Sequence, residues 1–239
     1  MTTHSGTTEG NRLSTPHPLR DILIVGSPVI ALGAAGNAIG VGTLAGGAII
    51  NLGYVFMVLI GAVVLGRQNS GWRRIGLGPP ASWPKTAILG FGAFLGALLV
   101  FVAMQTVAVT LLAALGVDLP AIDESRFIQL EGNLPLFILL VSLAWTTIAF
   151  GEELFYRAFL ITRMLDFTRI GRWSAILVAG GVFGLVHFAE GALGILSNGA
   201  FGTLFGWIYL RSGRNLWITI IGHGLLNTLR FVLLYLGAV

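Results

Sequence analysis

Residues 134–160 read LPLFILLVSLAWTTIAFGEELFYRAFL, and the change of character inside that stretch decides the fold. It opens as an uninterrupted apolar run. A run of about 20 predominantly apolar residues is what an α-helix needs to cross a bilayer. Without leaving apolar surroundings it then meets Glu152, Glu153 and Arg157. Six more apolar stretches surround it in the chain. They run from Asp21 to Ala38, Val41 to Leu65, Thr86 to Leu115, Ser174 to Phe188, Gly191 to Leu210 and Leu216 to Leu236. The fifth and sixth stretches in chain order are short and part only at Glu190 and Gly191, which predicts a tight helical hairpin. The expected fold is all-α: a polytopic transmembrane bundle of about seven spans, within a range of six to eight.

Composition agrees. Of 239 residues, 55% are hydrophobic and 10% charged, and the mean hydropathy is +0.87. Soluble domains carry about 25% charged residues. Residues 1–18 are polar and read as a disordered cytoplasmic tail. Residues 19–239 read as one transmembrane domain, with the chemically informative core at about 134–236. There is no cysteine, which excludes disulfides, thiolate nucleophiles and Cys-ligated metals.

The net charge of +4 does not point to nucleic acid, because the basic residues flank the spans. With the N-terminus inside, every Lys and Arg except Arg126 and Arg230 falls on the inner side. The positive-inside rule therefore predicts a cytoplasmic N-terminus in a cell membrane. The segment from Trp72 to Trp83, with Arg73, Arg74, Pro79 and Pro80, reads as an ordinary interfacial loop. Gly180-x-x-x-Gly184 and Gly202-x-x-x-Gly206 space small residues one turn apart and predict close helix packing.

Ionisable groups inside apolar stretches are costly and usually face a protein interior or a wet cavity. Three clusters qualify. The first is Glu152-Glu153 with Arg157. Adjacent helical residues point about 100° apart, so the two acids should face different targets. Glu153 stands four residues before Arg157, the favoured order for an ion pair, which leaves Glu152 free. The second is Phe183 with His187, and the third His223 with Asn227, each one turn apart. Taken singly, the first cluster also reads as an ion pair, and the second and third read first as a hydrogen-bonded core histidine and interhelical glue. Jointly they assemble a carboxylate, two imidazoles and a carboxamide on three spans. Peptide hydrolysis needs such a set: a base for water and donors for the oxyanion.

Glu152-Glu153-x-x-x-Arg157, Phe183-x-x-x-His187 and His223-x-x-x-Asn227 resemble the three motifs of the CPBP intramembrane proteases. That family includes the Ras-converting-enzyme-type CAAX prenyl proteases and the bacterial Abi proteins. Gly202-x-x-x-Gly206-x-x-Tyr209 and the Leu216-Trp217 pair resemble the segment between its second and third motifs. The resemblance covers about residues 145–230. It implies a membrane-embedded endopeptidase acting on a membrane-associated peptide or protein. Glu152 and His187 would hold and deprotonate water, and His223 and Asn227 would form the oxyanion site. Glu153, Arg157 and Phe183 would support the site. The resemblance also leaves a divalent metal such as zinc open, with Glu152, His187 and His223 as candidate ligands, beside a glutamate–histidine mechanism without an ion. The other readings are a non-catalytic scaffold or bacteriocin-immunity protein of the same fold, and a small transporter.

Overall fold

The computed structural model describes residues 17–40, 43–116, 129–167 and 169–238. Among these residues the chain forms seven helices and no strand. They are α1 (Pro18–Ile39), α2 (Leu44–Gly66), α3 (Trp83–Ala114), α4 (Leu134–Asp166), α5 (Arg172–Val186), α6 (Gly191–Arg211) and α7 (Leu216–Tyr235). Six are long and apolar enough to cross a membrane, and α5, with 15 residues, is the shorter one. The protein is a multi-pass helical membrane bundle. Of the polar tail, residues 1–16 lie outside the described residues, and so do Asp118, Asp123, Glu124 and Arg126.

Local chemistry sets the helix starts. Pro18 opens α1, where its missing N–H costs nothing. Thr43 caps α2 by accepting from the Gly46 N–H at 3.0 Å, and Asn133 caps α4 by accepting from the Leu136 N–H at 3.2 Å.

α4 is the axis of the bundle. Its first ten residues, Leu134–Leu143, are apolar except for Ser142, and none is buried. Every residue from Gly151 to Met164 is buried. The helix thus begins on the lipid-facing surface and ends enclosed by α2, α5, α6 and α7. Two of its segments, Ala144–Ala149 and Glu153–Ile161, are wound as π-helix. Such i→i+5 turns are rare and often accompany functional sites.

The α5–α6 hairpin is the one the sequence predicts. Its turn passes through Phe188–Glu190 to Gly191, whose φ of +74° is a conformation glycine adopts freely. The two backbones nearly touch. A Cβ at Gly184 would lie 2.4 Å from the Ile195 carbonyl oxygen, and one at Gly180 would lie 2.8 Å from the Thr203 nitrogen. The hairpin ends α5 at Val186, so His187 caps the helix instead of lying within it.

The Trp72–Trp83 segment is more than an interfacial loop. Trp72–Ile75 forms a 3₁₀ turn whose Ile75 is buried, and the Trp72 ring lies 6.1 Å from that of Phe159. Tyr209 donates from Oη to the Ile75 carbonyl at 2.6 Å, and the Leu216 N–H donates to the Gly76 carbonyl at 3.1 Å. Unpaired carbonyls at the end of an apolar bundle need such partners. At the same end Arg214 pairs with Asp166 at 3.0 Å, and that hydrogen-bonded carboxylate pushes the guanidinium pKa further up.

Gly184→Val should lower the melting temperature in detergent, by the equivalent of about 1–3 kcal/mol for overpacking against backbone. Gly181→Ala, where an added Cβ meets nothing within 4 Å, should leave it unchanged.

Candidate active site

The buried half of α4 carries the acids. Glu153 is 0% exposed and Arg157 is 1% exposed. The Arg157 Nη1 lies 3.0 Å from the Glu153 Oε1, the ion pair that the spacing predicts. Arg157 was expected on the inner flank of its span; instead it is enclosed in the bundle. Its Cζ stands over three aromatic rings, 4.5 Å from the Phe183 centroid, 5.3 Å from Phe201 and 5.7 Å from Phe205. A desolvated guanidinium gains from such faces, because ring quadrupoles are negative above the plane. Phe183 is therefore a platform for the cation, and Phe201 and Phe205 on α6 join it.

The expectation that the two glutamates face different targets is corrected. Both reach His223, on opposite nitrogens of one ring. The Nδ1 lies 2.9 Å from the Glu153 Oε1, and the Nε2 lies 3.7 Å from the Glu152 Oε2. The angular estimate assumed α-helical winding, whereas the helix turns π at Glu153. It also took one target to be one point, and an imidazole offers two. An ionised carboxylate only accepts hydrogen bonds, so with Glu153 held by Arg157 the His223 Nδ1 is the donor. The ring edge packs on Phe201, with centroids 4.9 Å apart.

Glu152 has a further partner that the sequence reading missed. Tyr54, on α2, donates from Oη to Glu152 Oε1 at 2.8 Å. The available signal was a tyrosine alone in an apolar span, since buried Tyr hydroxyls usually find a partner.

His187 and Asn227 stand further out. His187 is half-buried and packs against Phe183, the rings tilted by 50° with centroids 4.7 Å apart; Phe183 in turn lies 6.4 Å from His223. The His187 Nδ1 is 2.7 Å from the Phe183 carbonyl oxygen. A carbonyl cannot donate, so Nδ1 carries the hydrogen and Nε2 is left as an acceptor. Asn227 is half-buried one turn beyond His223. Among the described residues neither His187 nor Asn227 is hydrogen-bonded to Glu152.

The candidate metal set does not converge. Among the described residues no three His, Asp or Glu side chains are grouped so as to hold an ion. His187 keeps its Nδ1 on the Phe183 carbonyl and packs on the Phe183 ring, and among the described residues it is hydrogen-bonded to neither Glu152 nor His223. The residues present do not fit a three-ligand site of Glu152, His187 and His223.

Residues 134–229 match the model of a protein family described as Type II CAAX prenyl endopeptidase Rce1-like. This is the family that the three motifs resemble. At the level of the family it indicates a membrane-embedded protease acting on peptide substrates. No curated protein and no solved structure matches the chain.

Arg157→Met should destabilise the folded protein by about 3–5 kcal/mol, because it leaves the buried Glu153 charge without its cation. Adding Glu153→Gln to that variant should recover part of the loss. Thermal unfolding in detergent checks both.

Proposed function

We propose that the chain is an intramembrane endopeptidase that hydrolyses peptide bonds of membrane-associated substrates with water activated by Glu152. The observation that carries this reading is His223 inserted between two carboxylates of one helix, in the buried interior of the bundle. A purely structural ion pair would need only Glu153 and Arg157. Glu152 instead keeps one oxygen, Oε2, turned toward the His223 Nε2 at a distance beyond a direct hydrogen bond.

In the proposed reaction a water held by Glu152 Oε2 and His187 Nε2 attacks the scissile carbonyl carbon. Glu152 takes one of its protons as the new C–O bond forms. The resulting oxyanion is met by His223 Nε2–H and the Asn227 amide. Nδ1 already gives its hydrogen to Glu153, so His223 donates from Nε2 only as the imidazolium. Before attack the two carboxylates balance the charges of that imidazolium and of Arg157, and once Glu152 has taken the proton the oxyanion replaces it in that balance. Collapse of the tetrahedral intermediate breaks the C–N bond, and the proton on Glu152 passes to the leaving amine. One water is consumed, and an acid and an amine are released. Preorganised donors and a positioned base are the usual sources of such rate enhancement.

A groove of about 540 Å³ lies between α4, α7 and the start of α3, lined by Trp83, Trp145, Phe150, Trp217, Ile220 and Ile221 among others. α4 and α7 are the helices that carry Glu152 and His223. An apolar peptide segment would approach through this groove. The reading of residues 19–239 as a single domain whose protease core spans about 134–236 belongs to the same proposal. The same proposal has the N-terminus on the cytoplasmic side of a cell membrane; what supports it is the positive-inside rule, since Arg67, Arg73, Arg74 and Lys85 share the end of the bundle to which α1 brings Arg20.

In lipid nanodiscs, Glu152→Gln and His187→Ala should each slow cleavage by about 10²–10⁴-fold, with melting temperatures near that of the wild type. The probes are two quenched-fluorescent peptides, one with a farnesylated cysteine near its C-terminus and one unmodified. Full activity in both variants would overturn the mechanism. A cellular phenotype lost on deletion but kept by Glu152→Gln would favour the scaffold reading.

The absence of native cysteine makes topology directly testable. On intact cells an impermeant maleimide should label Leu115→Cys and spare Ser82→Cys until the membrane is opened. The reverse pattern would invert the orientation.

A further inference from the structure

We infer that Tyr54 of α2 is a positioning residue for this reaction, holding Glu152 so that only Oε2 is presented to the water; the inference rests on the function proposed above. The argument starts from the two oxygens of Glu152. Oε1 accepts from the Tyr54 hydroxyl at 2.8 Å, and Oε2 faces His223 at 3.7 Å. A terminal carboxylate torsion is broad and roughly two-fold, so a side chain held at neither oxygen would present both. The phenol occupies one oxygen and leaves the other, on the side of His223, to act.

The surroundings are built for this contact. Tyr54 is 6% exposed. Its side chain packs closely against the α4 backbone at the residue before Glu152. A Cβ at Gly151 would stand 2.7 Å from Tyr54 Cδ1 and 2.9 Å from Cγ. Glycine at 151 makes the room that brings the hydroxyl to the carboxylate. One turn earlier on each helix, the Thr147 hydroxyl donates to the Asn51 side-chain oxygen. Two polar contacts therefore fix the register of α2 on α4 around Glu152.

A buried tyrosine that merely needed a partner could have taken any carbonyl. This one takes the acid that the ion pair with Arg157 leaves over. Tyr54 also lies outside the segment 134–229 that matches the protease family. The site then draws a functional group from the part of the chain whose sequence otherwise reads only as apolar spans.

The test compares wild type, Tyr54→Phe and Glu152→Gln in nanodiscs, with the farnesylated and unmodified peptides as probes. Tyr54→Phe keeps the ring and removes only the hydroxyl. It should lower kcat by about ten- to a hundredfold, the range for losing one hydrogen bond to a charged group, with KM within about twofold of the wild type. A merely structural hydroxyl would instead lower the melting temperature and leave kcat per folded molecule intact, and that result overturns the inference. A raised KM at unchanged kcat also overturns it, because it assigns Tyr54 to binding. If Glu152→Gln is inactive while Tyr54→Phe is fully active, the inference fails alone. If Glu152→Gln is as active as the wild type, or the wild type cleaves neither probe, the proposed function fails and takes the inference with it. Should Tyr54→Phe not be recovered folded, 3-fluorotyrosine at position 54 changes the donor strength of the hydroxyl at nearly constant shape. Altered kcat at constant KM then supports the inference, and unaltered kcat overturns it.

Discussion

Charge buried in a lipid-embedded bundle must be answered from within the bundle, and this constraint organises the molecule. Arg157 is the hub. It sits on Glu153 and beneath the faces of Phe183, Phe201 and Phe205. Glu153 then orients His223, and Glu152 closes the chain toward Tyr54. Each charged group in the series faces an opposite charge or a polar partner, so none stands alone. The arrangement collects partners from α2, α5, α6 and α7 around α4. Tertiary packing and polar satisfaction are here one requirement.

The remainder of the fold holds that series at one depth. The tight α5–α6 hairpin places Phe183 and Phe201 side by side, with ring centroids 5.6 Å apart. At one end of the bundle, Gly76 and Ile75 accept hydrogen bonds from Leu216 and Tyr209. This ties the start of α7, and with it His223, to the loop after α2. Residues that resemble the segment between the second and third family motifs thus work as clamps on a distant loop. Nothing in a linear spacing announces that role.

The helices were legible because lipid imposes length and apolarity on each of them, and Gly191 marks the hairpin turn by a simple backbone rule, whereas Pro18, read with the polar tail, opens α1. The pairs Glu153–Arg157 and Phe183–His187 were legible as neighbours one turn apart. Three things were not. The π winding of α4 leaves no compositional trace, so the angle between Glu152 and Glu153 was estimated for the wrong helix. The enclosure of Arg157 was hidden because a basic residue near a helix end looks the same whether it faces headgroups or three phenylalanines. Tyr54 was hidden because its partner lies 98 positions away along the chain. The last two misses concern contacts between helices, and helical periodicity describes only the face a helix presents.

The enclosure of α4 also has a consequence for how the protein is made. The residues Glu152, Glu153, Arg157 and Arg163 all lie in its second half, and a centrally placed charge costs about 2.5–3.5 kcal/mol during translocon insertion. The lipid-facing Leu134–Leu143 run recovers only a few tenths of a kcal/mol per residue on the same scale. The ribosome delivers α4 before the aromatic rings and the imidazole that shelter those charges exist. Its first half can anchor early, while its second half settles only as α5 to α7 emerge. Lesions in Phe183, Phe201 or Phe205 would then surface first as a failure of biogenesis, in chains held back by the insertion machinery.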